Sequence, residues 1–162
     1  MIQTNVKGVM DASSFLRNYD NALEDKCRDL CQRLADIGVI VAKAAYNTIA
    51  YTGNREYEVM VEPTEKGCAV VADGETVLFL EFGAGVTYGY GHPKAQEFGM
   101  GPGTYPPTNP NNPHWKDPNG WYIPGGEHTY GNAPSMGMYF AGKTMREQIE
   151  TIAREVFAND RR

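Results

Sequence analysis

Val77-Leu-Phe-Leu-Glu-Phe-Gly-Ala-Gly85 divides the chain into two unlike parts. Upstream lie long apolar-periodic segments, and downstream begins an insert, Gly83 to Ser135, that holds nine of the ten prolines, eleven of the eighteen glycines, both tryptophans and all three histidines. Val77 to Phe82 reads as a strand, apolar on both faces up to Leu80, with one face meeting a helix and the other covered by the insert or a partner. Glu81 and Phe82 fall on successive faces at its end, and Gly83 and Gly85 supply positive φ where the chain turns sharply. An apolar-flanked carboxylate such as Glu81 is either a solvated strand end or a group with a dedicated partner, a loop amide or an arginine of a neighbouring subunit.

Working back from this strand, Tyr57, Val59 and Val61 alternate until Pro63, Thr64-Glu-Lys-Gly67 forms a hairpin turn, and Cys68-Ala-Val-Val-Ala72 returns before the turn at Asp73-Gly74. Residues 56–82 are therefore expected to form an antiparallel meander of three strands. Before it, apolar residues step from Leu23 through Cys27, Leu30, Leu34, Ile37 and Val41 to Ala44 by 4, 3, 4, 3, 4 and 3, preceded by Leu16 and Tyr19. The spacing predicts a helix over 13–50, with Asp11, Ser13 and Ser14 as N-cap candidates and Gly53-Asn54 at its end. Such a helix is about 57 Å long, against about 40 Å for a compact domain of this size, so it must break or project. Gly38 is the expected kink or close-packing point, and the seam serves either this domain's own sheet or a symmetry mate. Met1 to Met10 offers a weak edge strand through Ile2 and Val6.

After the insert, Met138, Ala141, Met145, Ile149, Ile152 and Val156 mark a second amphipathic helix over 137–158, with Ser135 placed to cap it. The whole reads as one α+β domain over residues 1–162: a long N-terminal and a C-terminal helix on a small antiparallel sheet, with the extended insert of residues 83–135 between strands and last helix.

The insert carries Tyr88, Tyr90, Phe98, Tyr105, Trp115, Trp121, Tyr122 and Tyr130, too many aromatics for ordinary disorder, yet almost no aliphatic residues with which to build elements. Eight rings do not offset the entropy of ordering so long a loop, so a neighbouring chain is the expected source of the remainder. A net charge of −5 argues against a nucleic-acid surface. No apolar run is long enough to cross a membrane and no export signal is present, which predicts a cytosolic product with free thiols at Cys27, Cys31 and Cys68, the first two in core packing.

Chemistry is sparse. His92, His114 and His128 match no metal spacing and read as turn or surface residues. Gly83 to Gly91 lacks the pattern and the following helix of a phosphate loop. Asp117-Pro-Asn-Gly120 is better explained as a β-turn than a calcium loop. No catalytic, cofactor-binding or metal residues are assigned, and a glycan- or host-factor-binding module that uses the aromatic-rich insert is the alternative.

The order of Leu80-Glu-Phe-Gly-Ala-Gly85, Gly91-His-Pro93, Gly101-Pro-Gly-Thr104, Gly120-Trp-Tyr122 and Pro134 before a helix with Met138 and Ala141 resembles the neck or tail-component family of tailed bacteriophages. Pro134-Ser-Met136 departs from the Pro-Phe-Met or Pro-Phe-Leu of many members. The resemblance implies a non-enzymatic virion protein assembled in the host cytoplasm. It implies a ring of six or twelve copies between a head connector and a tail-terminator or tail-tube protein, with DNA passing through unbound. Glu81, Phe82, Gly83, Gly85, Tyr105, Trp115, Trp121, Tyr122 and Tyr130 are then the expected interface, since Trp and Tyr dominate interface hot spots. Deleting His92 to Tyr130 is expected to spare helix and sheet but abolish assembly.

Overall fold

The computed structural model describes residues 6–48, 56–85, 87, 91–100, 117–122 and 126–158, with side chains of the first helix described from Ser14. The element order is α1 (Val6–Asn47), β1 (Glu58–Thr64), β2 (Gly67–Asp73), α2 (Val77–Phe82), β3 (Trp121–Tyr122), β4 (His128–Thr129) and α3 (Gly137–Ala158). The α+β class is as expected, and α3 occupies the segment that its 3-and-4 spacing marked out.

The long helix begins upstream of the expected start. Asp11, Ser13 and Ser14 lie inside α1, and Val6 to Met10 is helical, not an edge strand. Serine and aspartate signal an N-cap only where the preceding chain leaves the helix, and Val6-Lys-Gly-Val-Met10 contains no proline to force that. At 42 residues α1 is about 63 Å long.

It does not break at Gly38. A Cβ there would lie 2.8 Å from the Met145 sulfur and 2.9 Å from Val70 Cγ2, so glycine lets α3 and β2 approach α1 together. α3 runs antiparallel to α1. Its first residue, Gly137, lies against Tyr46 and Ala42, Glu155 reaches Arg33 at 3.6 Å, and Phe157 lies under Lys26. α3 therefore covers α1 only as far back as Lys26, and every described side chain from Ser14 to Asp25 is exposed.

β1 and β2 pair antiparallel from Glu58↔Asp73 to Thr64↔Gly67, which leaves Glu65-Lys66 as the expected two-residue turn. Ala42, Tyr46, Val59, Leu80 and Ala141 form the core, and Val39, Val70, Ala72 and Met138 pack around it. Cys27, expected in the core, is exposed, while Cys31 and Cys68 are half-buried; all three thiols are free.

The third strand does not exist: Val77–Phe82 is the six-residue helix α2, and the hairpin stands as a two-stranded sheet. A six-residue apolar run without alternation fits a buried helical turn as well as a strand. What decides here is the fate of its carbonyls. Helical winding directs the Phe79, Leu80 and Glu81 carbonyls at residues 132–136, which satisfy them: Asn132 Nδ2 donates to Phe79 O at 2.8 Å, the Ser135 amide and hydroxyl donate to Leu80 O at 2.7 and 2.8 Å, and the Met136 amide donates to Glu81 O at 3.3 Å. Those are orphan groups of a helix C-terminus, and the distant segment caps them.

Part of the insert is more ordered than its composition predicted. β3 and β4 form a short antiparallel ribbon, Trp121↔Thr129 and Tyr122↔His128, and Ala84 pairs with Asn132. Asp117 to Gly120 is the expected turn, with the Gly120 amide bonded to Asp117 O and the Asn119 amide to Asp117 Oδ1. Gly83 and Gly85 do adopt positive φ, +78° and +81°. A Cβ at Gly85 would sit 2.6 Å from Tyr130 O and 3.1 Å from the Trp121 ring, so the chain passes where only glycine fits.

Candidate functional site: a buried carboxylate junction and an exposed apolar seam

The α3 helix starts without a polar residue at its N-cap. Met136 occupies that position with φ +57°, its carbonyl accepting the first helical bond from the Phe140 amide. Ser135, expected as the cap, turns its hydroxyl to Leu80 O instead. The capping acceptor comes from α2. Glu81 Oε2 accepts from the Met138 amide at 2.8 Å and Oε1 from the Tyr139 amide at 2.9 Å, the second and third helical amides that an N-cap side chain ordinarily satisfies. A carboxylate there also meets the positive end of the helix dipole.

Two further donors complete the junction. The Tyr46 hydroxyl of α1 donates to Glu81 Oε2 at 3.0 Å, and His92 Nε2 of the insert lies 3.0 Å from Oε1. The Lys94 amide donates to His92 Nδ1 at 3.1 Å, and a backbone amide can only donate. Nδ1 is therefore the acceptor, and Nε2 carries the hydrogen given to Glu81. Glu81 is 6 % exposed and His92 4 %, and every acceptor direction of the carboxylate is used. Burial first, and the adjacent carboxylate second, push the Tyr46 hydroxyl far above its ordinary pKa of 10, so this donor keeps its proton.

The ring of Phe82 packs on His92 and Phe98 with centroids 4.5 and 5.6 Å apart, and His92 meets Tyr139 edge-on. One carboxylate thus ties α1, α2, the insert and α3 together. His92, read from sequence as a turn or surface residue, is a core residue because its imidazole completes the shell of Glu81. The sequence signal was Glu81 itself, a carboxylate flanked by Leu80 and Phe82 that needed partners.

The expected interface residues separate accordingly. Glu81, Phe82, Gly83 and Gly85 are buried inside the chain, so they hold the fold and present nothing to a neighbour. Trp121 is half-buried against Gly85. Tyr122 and Tyr130 are exposed and flank the exposed His128, with ring centroids 5.0 and 4.9 Å from it. Tyr105 and Trp115, like His114, lie outside the described residues.

A second surface was legible as a seam but not as a site. On α1 beyond the end of α3, Phe15, Leu16, Tyr19 and Leu23 are 69, 62, 60 and 41 % exposed. The same stripe is covered farther along by the chain's own elements. At its inner end it opens into a groove of about 780 Å³ between α1 and the β1–β2 hairpin. Among the described residues no helix is long and apolar enough to cross a membrane, and no group of three or more His, Cys, Asp or Glu is placed to hold a metal ion. Comparison with known protein families, curated proteins and solved structures finds no match.

Proposed function

We propose that the chain is a ring-forming structural protein of a bacteriophage neck, acting in head-tail joining or tail completion. The observation that carries this reading is the α1 overhang: a helix some 20 residues longer than its covering partner, with a row of large apolar side chains facing outward. An apolar row of that kind is worth exposing only where another chain covers it. The Glu81 junction agrees with a scaffold rather than a reaction centre, because a carboxylate engaged by four donors inside the fold is a strut and has no acceptor direction left for a substrate proton.

In this role the acidic protein lets DNA pass without binding it, since acidic side chains repel phosphate, and a channel lined by lysine or arginine would contradict that part. The mass of the purified protein, alone and mixed with the connector ring, tests the whole: closed assemblies of six or twelve copies are expected, and a monomer under both conditions overturns it. A second reading rests on a separate observation, the exposed Tyr122, His128 and Tyr130 rings, which suit stacking against sugar C–H faces. Glycan-array binding by monomeric protein would favour that module over the neck protein.

A further inference from the structure

We propose that the α1 overhang of one copy seats in the groove between α1 and the β1–β2 hairpin of the next copy. The inference rests on the ring-forming reading and names the contact that closes the ring. The groove is lined by Leu23, Cys27, Cys31, Val61, Pro63 and Cys68, with Glu24, Arg28, Glu65 and Lys66 at its margin. Its apolar and thiol side chains offer a soft surface for aromatic rings. The volume of about 780 Å³ takes several side chains, as a helix edge would supply.

The overhang of one copy cannot fill that copy's own groove. α3 leaves α1 at Lys26, and a rigid helix cannot fold its own residues 15–19 onto the groove beside residues 23–31.

The area suits a second copy. Phe15, Leu16 and Tyr19 leave on the order of 400 Å² open, about half of the ~800 Å² per partner that a stable interface buries, with polar stems to supply the rest. The outer overhang from Phe15 to Tyr19 and the groove, whose edge is Leu23, are different patches on one subunit, so the contact is heterologous, and a heterologous contact that closes makes a ring.

The chain's own thiols report the contact. In Leu16→Cys protein, oxidation by copper(II)–phenanthroline and oxygen removes two protons and two electrons from each thiol pair brought together, and the oxygen takes them up. Cys27 lies about 16 Å along the same helix from position 16, too far for a bond within one chain. Disulfides between position 16 and Cys27, Cys31 or Cys68 of another copy, in a ladder extending past the dimer, are expected by peptide mass spectrometry and non-reducing gels. Bonds only between two position-16 thiols, or none between chains, overturn the inference. Leu16→Asp, which is exposed and leaves the helical signal unchanged, should weaken assembly about a hundredfold in sedimentation. A ring that survives Leu16→Asp overturns the contact but leaves the ring reading standing, whereas a parent protein that sediments as a monomer removes both.

Discussion

Glu81→Gln changes no volume and removes one charge, so it measures what the junction contributes. In the parent, Oε2 accepts from the Tyr46 hydroxyl and the Met138 amide, and Oε1 from His92 and the Tyr139 amide. The glutamine NH₂ must replace one oxygen. On the Oε1 side it would face two donors, since Nδ1 of His92 is held as an acceptor by Lys94. On the Oε2 side the Tyr46 hydroxyl can rotate to accept, which leaves the Met138 amide facing another donor. That is the better arrangement, and it costs one buried unsatisfied amide, about 1–3 kcal/mol, plus weakening of the remaining bonds as they lose a charged acceptor. Loss of the charge at the helix N-terminus adds about 0.3–2 kcal/mol. Together these give about 3–5 kcal/mol, a fall of about 10 °C in Tm for a domain of this size. Thermal and urea unfolding followed by circular dichroism, at one fixed protein concentration, measures it. A Glu81→Gln protein that melts within 2 or 3 °C of the parent, about 1 kcal/mol, would refute the reasoning, because four charge-assisted bonds could not then depend on that carboxylate.

Tyr46→Phe should cost about 1.5–3 kcal/mol at neutral pH, and a double-mutant cycle with Glu81→Gln should show coupling, because both changes act on one bond. The Tyr46 pKa is raised in the fold, so its contribution is complete below about pH 10 and is lost as pH rises above that, at about 1.4 kcal/mol per pH unit; urea titrations at pH 9 to 11 should show a steeper alkaline decline in the parent than in Tyr46→Phe. Gly85→Ala should destabilise by well over 1 kcal/mol, because φ is +81° and the new Cβ would meet Tyr130 O, whereas Gly99→Ala, at φ +67° with open space around it, should cost only about 1 kcal/mol; equal melting temperatures for the two would contradict the close approach. His92→Ala should cost about 2–4 kcal/mol from the lost donor and ring packing, and adding it to Glu81→Gln should cost less than the sum of the two in the same unfolding assay. The deletion from His92 to Tyr130 consequently takes a core residue with it and should lower stability as well as assembly.

What was legible in the sequence was what depends on local periodicity. The α1 seam and α3 repeat every three and four residues, and the hairpin alternates around a two-residue turn, so chain-local rules place them. Val77 to Phe82 was not legible for the same reason: its choice between strand and helix rests on carbonyl partners at residues 132–136, some 50 positions away, and no local pattern records them. His92 was missed because its environment is made by Glu81, Phe82 and Tyr139, three residues that only the fold brings together. Sequence placed α3 correctly but named the wrong cap, since the acceptor for its first amides lies on another helix.

The segment Glu81-Phe-Gly-Ala-Gly85 acquires a different meaning from this. Its glutamate and phenylalanine face inward, and its glycines have positive φ and no room for a side chain. Residues so constrained determine how the insert leaves the core, and their burial leaves little surface to offer a partner. Partner choice must fall to side chains that the fold leaves free to vary, and on α1 those begin where α3 ends. Phe15, Leu16, Tyr19 and Leu23 stand exposed in one row outside the core, and under the proposed ring that row is what meets the next copy. In the proposed ring the buried motif and the open seam therefore divide the work, one making the subunit and the other joining it to the next.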